Sequence, residues 1–257
     1  MKSVEEGPRE LRLSSEQVRK ELSRRSRRGF LVGGVAALAG FGAYEWLTTA
    51  GEEDSVPWPQ RRVLALNEKL AHSYVSNRHR MPSYDASQVT YLKPNGKYGL
   101  DEDFDADAWQ LNVIAQGLPA IRLQLADIMA LPKVTMTTLF CCIEGWTAIA
   151  SWTGARFSDF TQRFAPPGSV LPYVYMATPD EEYYVGLDAK SALHPQTLLA
   201  YEYNGKPLTA EHGAPLRLVI PVKYGIKNIK RIGLIRYTSK RPGDYWAEEG
   251  YDWFAGL

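Results

Sequence analysis

Two adjacent thiols, Cys141 and Cys142, lie in the run Leu139-Phe-Cys-Cys-Ile-Glu-Gly-Trp146, where a strand pattern gives way at Gly145 to a loop. They are the chain's two cysteines. Neighbouring residues meet the distance and direction demands of a disulfide only with a distorted peptide, and no further thiol is present to complete a cysteine-built zinc site. Two chemistries stay open for them: a small buried hydrophobe, or a thiolate ligand to a soft or high-valent metal. Successive strand residues point to opposite faces, so a single site can be faced by only one of the pair.

A second group spans His212 to Lys230, with Arg217, Lys223, Lys227, Lys230 and Arg231 placed around Gly225. On charge alone it is a basic strand edge. The same residues suit a phosphate: arginine offers a planar fork to phosphate oxygens, lysines add point charge, and backbone N–H groups beside a glycine can approach closely.

The elements that must position these groups follow from pattern and punctuation. Residues 51–107 carry turn signals at Pro57, Pro59, Pro82 and Pro94-Asn95-Gly96 and little periodicity, which predicts an irregular arm with one helix over Arg62–Ala71. Strands are predicted over 109–113, 133–142, 170–177, 183–187, 217–221 and 229–237, with a hairpin turn at Asn204-Gly205 and short helices over 123–130, 158–164 and 195–201. Irregular alternation argues against a doubly wound parallel sheet. It predicts an α+β fold, a single mixed-sheet domain over residues 108–257.

The composition is that of a globular chain, with 45% hydrophobic and 23% charged residues. Thirty Lys+Arg against 29 Asp+Glu leave a net charge of +1, which removes a basic-surface argument for nucleic-acid binding. The basic excess is concentrated at the start, where residues 1–28 hold nine Lys/Arg and five Asp/Glu. Ser26-Arg27-Arg28-Gly29-Phe30-Leu31 then leads into the uncharged run VGGVAALAGFGAY, which ends at Glu45. This is the layout of a twin-arginine export signal over residues 1–50, with Ser14 and Gln17 spaced as a helix capping box and an uncleaved membrane anchor as the alternative. The route predicts a periplasmic protein and carries cargo already folded, often with a cofactor inside.

Taken together, five segments resemble the molybdopterin domain of the sulfite oxidase family, and within it the branch of exported catalytic subunits of protein-methionine-sulfoxide reductases. They are Cys142-Ile-Glu-Gly-Trp146, Tyr184-Val-Gly-Leu-Asp-Ala-Lys-Ser-Ala-Leu-His-Pro195, the run from Leu198 to Leu208, the run from His212 through Arg217 to Lys230, and Asp244-Tyr-Trp. The likeness covers roughly residues 105–257. It implies a molybdenum-molybdopterin cofactor, with Cys142 as the protein's metal ligand because the family's ligand stands directly before the short Glu-Gly-Trp run. It also implies pterin contacts from His212, Arg217 and the stretch Asn228-Ile229-Lys230, a tyrosine near the metal at Tyr184, and further contacts at Asn67 and Thr178. The chain departs from the family at Cys141, where arginine is common, and that loss of positive charge argues against an anionic substrate. His194 receives no role, while His72 and His79 lie near Asn67 on a segment that suits either the lining of the cofactor or the surface.

The resemblance implies oxygen-atom transfer: reduction of an S-oxide or N-oxide, small or protein-bound, with electrons from a separate membrane subunit linked to haem or quinone. No CxxCH haem motif occurs in this chain. Two alternatives stand beside it, a sulfite-oxidising dehydrogenase and an exported binding protein that keeps the fold without metal.

Overall fold

The computed structural model describes residues 14–100, 104–165 and 168–257. The first thirteen residues of the expected signal segment and residues 101–103 of the expected arm lie outside these. The chain divides into two compact units, one ending at Glu52 and including Pro57–Pro59, the other formed by Glu53–Val56 and Gln60–Leu257.

The described part of the first unit is chiefly one helix, α1 (Ser15–Thr49), capped as its sequence demands: Gln17 N–H donates to Ser14 Oγ at 3.3 Å, and Ser14 N–H donates to Gln17 Oε1 at 2.9 Å. No proline interrupts residues 15–49, and its alanines and leucines carry it through the glycines to Thr49. It is long and apolar enough to cross a membrane, which fits an export signal and an anchor alike.

Two-residue strands β1 (Glu52–Glu53) and β2 (Val56–Pro57) lead into α2 (Trp58–Tyr74), which extends the expected helix by a turn or less at each end. The second unit then builds two five-stranded sheets, an α+β arrangement of the kind the sequence pattern predicted. The first sheet holds β5 (Lys133–Cys141), β6 (Thr147–Arg156), β9 (Leu198–Tyr203) and β10 (Lys206–Pro207) in the order β10-β9-β6-β5, with β11 (Arg217–Val219) also paired to β9. All its pairings are antiparallel. The second holds β3 (Leu111–Ile114), β4 (Ile121–Leu123), β7 (Tyr173–Ala177), β8 (Tyr184–Asp188) and β12 (Leu234–Thr238) in the order β4-β3-β12-β7-β8. It is mixed, because β12 runs parallel to β3 and antiparallel to β7. Helices α3 (Leu125–Met129), α4 (Phe157–Phe164), α5 (Ala189–Ala192) and α6 (Tyr245–Glu248) complete the unit.

The principal core joins both sheets, with Val113, Met176, Val185 and Ile235 from one packed with Leu199 and Leu218 of the other. The first sheet is also covered on its opposite face, where Ala150, Trp152, Leu198 and Ala200 form a second apolar cluster. Double burial explains two departures from the sequence reading. Strand β6, unanticipated, reads TAIASWTGAR; its small residues let neighbours approach, and a Cβ on Gly154 would meet the Leu199 carbonyl at 2.1 Å. The segment expected as a helix over 195–201 contains β9 instead. Its Leu-Leu-Ala content favours helix locally, but β6 on one edge and β10 and β11 on the other take its backbone hydrogen bonds.

One buried cation in this unit generates a pH prediction. Lys223 Nζ donates to the Phe254 carbonyl at 2.8 Å and lies 3.8 Å from Asp188 Oδ2, yet burial pulls its pKa down to about 7. Between that value and the lysine's ordinary range the unfolded chain holds a proton that the folded chain has released, so stability rises with pH across the window. We expect Lys223→Met to lower the slope of unfolding free energy between pH 7 and pH 9 by up to about 1.4 kcal/mol per pH unit. Urea unfolding of both proteins at several pH values measures it.

Candidate active site

Strand β5 ends at Cys141, which stays in the ladder opposite Thr147 and is half-buried. The chain then turns sharply: Cys142 N–H donates to the Trp146 carbonyl at 2.9 Å, and Gly145 N–H to the Cys142 carbonyl at 3.1 Å. Gly145 closes this turn at φ +88°, a conformation L side chains rarely adopt. The turn takes Cys142 out of the ladder. Its thiol, on a residue only 7% exposed, faces a cavity of about 160 Å³, roughly ten times what one water requires.

The opposite wall comes from the basic segment. His212 lies at the end of a 3₁₀ turn, Arg217 opens β11, and Asn228 and Lys230 follow the 3₁₀ turn Gly225–Lys227. All four line the cavity with Cys142. Gly213, at φ +94°, lets these two stretches touch, since a Cβ there would stand 2.6 Å from Lys230 Cβ. Arg217 is 2% exposed. Its Nη1 donates to the His212 carbonyl at 3.0 Å and its Nη2 to the Asn228 carbonyl at 3.1 Å, with the guanidinium 4.6 Å from the centre of the Trp152 ring. No carboxylate pairs with it among the described residues. Burial lowers its pKa to about 10.

Lys230 Nζ donates to the carbonyls of Asn95 (2.7 Å) and Gly96 (3.1 Å), and burial, with Arg217 nearby, lowers its pKa to about 7. Burial and then Arg217 likewise hold His212 below the usual histidine range, so the imidazole is neutral at pH 7. Glu144 is the acid at the rim, kept below the ordinary carboxylate range chiefly by the Trp146 indole N–H, which donates to its Oε2 at 3.0 Å.

The remaining expected site residues lie elsewhere. Asn67 is exposed on α2 and takes no part in the cavity. Thr178 is buried, with its hydroxyl donated to Asp180, and belongs to a separate cleft beside Arg122 and Arg236. Tyr184 donates its phenol to Glu248 Oε2 at 2.5 Å and does not line the cavity; its neighbour Tyr183 does. That inversion follows from strand alternation. Tyr183 donates to the Ile226 carbonyl, and burial drives its pKa well above the tyrosine range. Asn228 lines the cavity but spends its side chain on Ile220 N–H and the Tyr224 carbonyl, while Ile229 packs in the principal core.

The residues the sequence reading passed over come from the arm. The Asn95 amide donates to the Cys142 sulfur at 3.8 Å, and Tyr98 lines the same cavity. The arm reaches the site because it runs along the first sheet, where Tyr84 N–H donates to the Thr137 carbonyl (3.0 Å) and Thr90 N–H to the Ile149 carbonyl (2.9 Å). Pro94-Asn95-Gly96 signals only a turn in the sequence; its side chain gains a chemical context from this placement.

The donor set fits a molybdopterin cofactor. One buried thiol supplies a soft ligand, and a buried guanidinium without a carboxylate on the facing wall supplies what a phosphate needs.

Comparison with known proteins agrees with that fit. The oxidoreductase molybdopterin binding domain matches residues 98–246. A putative protein-methionine-sulfoxide reductase subunit YedZ1 from Azospira oryzae is 32% identical over 98% of this chain and 96% of its own length. The protein-methionine-sulfoxide reductase catalytic subunit MsrP of Campylobacter jejuni is 28% identical over 91% of this chain and 81% of its own length, and that of Xanthomonas axonopodis pv. citri 40% identical over 41% and 37%. The chain therefore belongs to the molybdopterin-binding oxidoreductase family and is an enzyme of that class.

Proposed function

We propose that this oxidoreductase reduces S-oxides or N-oxides, drawing electrons from a membrane subunit linked to haem or quinone, and that it works outside the cytoplasmic membrane after export on its twin-arginine signal. The observation that carries the reading is the shared cavity of Cys142 and Arg217, a soft ligand and an uncompensated buried cation facing one space. The names of the relatives, methionine-sulfoxide reductases, support the substrate class. The Arg27-Arg28 pair ahead of the apolar run of α1 supports export.

In this reading Cys142 would hold molybdenum as the one protein ligand, and Arg217 with Lys230 and His212 would hold the pterin phosphate. The bound cofactor supplies two-electron oxygen-atom transfer. Overall, an S-oxide takes up two electrons and two protons and leaves as a thioether and water. The chain's residues select for a neutral substrate. Half-buried Cys141 brings no positive charge beside the metal position, and the ionised Glu144 at the rim repels an approaching anion. Tyr98 and Ile143, exposed at the mouth, offer apolar surface to a thioether carbon. The Asn95 amide, which donates to the Cys142 sulfur at 3.8 Å, holds that sulfur in position at the cavity. The hydroxyls of Tyr183 and Tyr184 are not free to serve as proton donors, since both donate to protein oxygens.

A dye-linked assay tests the reading. With a reduced viologen as donor we expect turnover of methionine-sulfoxide peptides or dimethyl sulfoxide at least tenfold above sulfite oxidation measured with an oxidised acceptor; dominant sulfite oxidation would reject it. Cys142→Ser should abolish turnover and molybdenum content while Cys141→Ser keeps most of both, and equal losses would remove the ligand assignment. Arg217→Met should lower pterin occupancy several-fold in purified protein, measured by fluorescence of the oxidised pterin.

A further inference from the structure

Helix α2 exposes an apolar stripe that the catalytic unit leaves uncovered. Val63, Leu66, Leu70 and Tyr74 fall at spacings of three and four along one face and are 58%, 56%, 60% and 68% exposed. The other face is the one that packs inward, through Arg61, Ala71 and the following Val75. Burial of the second face cannot explain the first. Four large apolar side chains in register on an exposed helix form the kind of patch that marks an interaction surface.

Three observations identify what covers it. First, Arg62 and Lys69 border the stripe on one side, both exposed; Arg62 also pairs with Glu53 at 3.2 Å. An apolar stripe flanked by long cationic side chains suits a bilayer interface, where the stems lie along acyl carbon and the charged heads reach phosphate. Second, aromatic side chains mark both ends of α2, Trp58 and Tyr74, the residue types that settle at the headgroup level. Third, α2 follows α1 after only the residues 50–57, so at most about 30 Å of extended chain separates the end of a helix of membrane-crossing length from the start of α2.

We propose that α2 lies on the phospholipid surface with Val63, Leu66, Leu70 and Tyr74 in the acyl boundary, holding the catalytic unit against the membrane. This does not depend on which oxide is reduced. Its argument is the stripe, its cationic border and its nearness in the chain to α1.

The test uses the full chain, exported and loaded in its own cell, with p-benzoylphenylalanine in place of Tyr74 or, separately, Leu70. Tyr74 is an exposed aromatic and accepts the label with little change. Membranes are irradiated and the peptides covering α2 analysed by mass spectrometry. Phospholipid adducts are expected at both positions, at least fivefold above those from the same label at exposed Lys206 on β10. A discrete protein–protein adduct in their place overturns the proposal and assigns the stripe to a protein partner, and lipid adducts no higher than at Lys206 overturn it as well. Dye-linked reductase activity of each labelled chain reports whether the catalytic unit is folded and loaded, so a failure of the functional reading is seen separately from a failure of this one.

Discussion

A buried guanidinium, that of Arg217, with no carboxylate to meet it among the described residues is the constraint around which the catalytic unit is arranged. Desolvating such a charge costs several kcal/mol, and the protein offsets part of this with the two carbonyls of His212 and Asn228 and the face of Trp152. Those partners neutralise nothing. The uncompensated charge lines the same space as Cys142, so the cavity presents a soft ligand on one wall and a demand for an anion on the other. Each of Arg217's partners also requires a particular backbone course: the 3₁₀ turn before β11, the loop after Gly225, and a trace at Gly213 that no side chain would permit.

A second buried charge fixes the floor. Lys227 pairs with Asp244 and also donates to the Gly186 carbonyl at 3.0 Å, while Asp244 accepts from the backbone N–H groups of Gly186 and Ala247. One ion pair thus ties the 3₁₀ turn behind the cavity to β8 and to the start of α6. Removing either partner would strand the other, at a cost on the order of 3–5 kcal/mol. Through the same junction Tyr183 donates to the Ile226 carbonyl, so the aromatic wall of the cavity and its basic wall are held by one local network.

The arm contributes chemistry while looking like a linker. It is irregular because its backbone hydrogen bonds go sideways to β5 and β6 in place of a ladder of its own. It ends with Lys230 holding the carbonyls of Asn95 and Gly96, which sets the Asn95 amide beside the sulfur of Cys142. Asn95 from the arm, Cys142 from the turn after β5 and Lys230 from the basic segment therefore line one cavity, although each lies on a different part of the chain.

Local chemistry determined much of this from the sequence alone. The capping box at Ser14 and Gln17, the end of β5 at the Cys-Cys pair, the Asn204-Gly205 hairpin turn and the family itself were all legible, because each depends on residues close together or on motifs in order. Gathering was legible only for Cys142 and for His212, Arg217, Asn228 and Lys230. Tertiary structure decided the rest. β6 and β9 are strands because both faces of their sheet are buried, which erases the polar alternation that would announce them and overrides helix propensity. Asn95 and not Asn67 faces the thiol because the arm's path along the first sheet carries it there, and Tyr183 and not Tyr184 lines the cavity, since a one-residue change of phase in a strand reverses which side chain points inward. Composition and motif name the chemistry a chain can perform; the pairing register and the path of the arm select which atoms perform it.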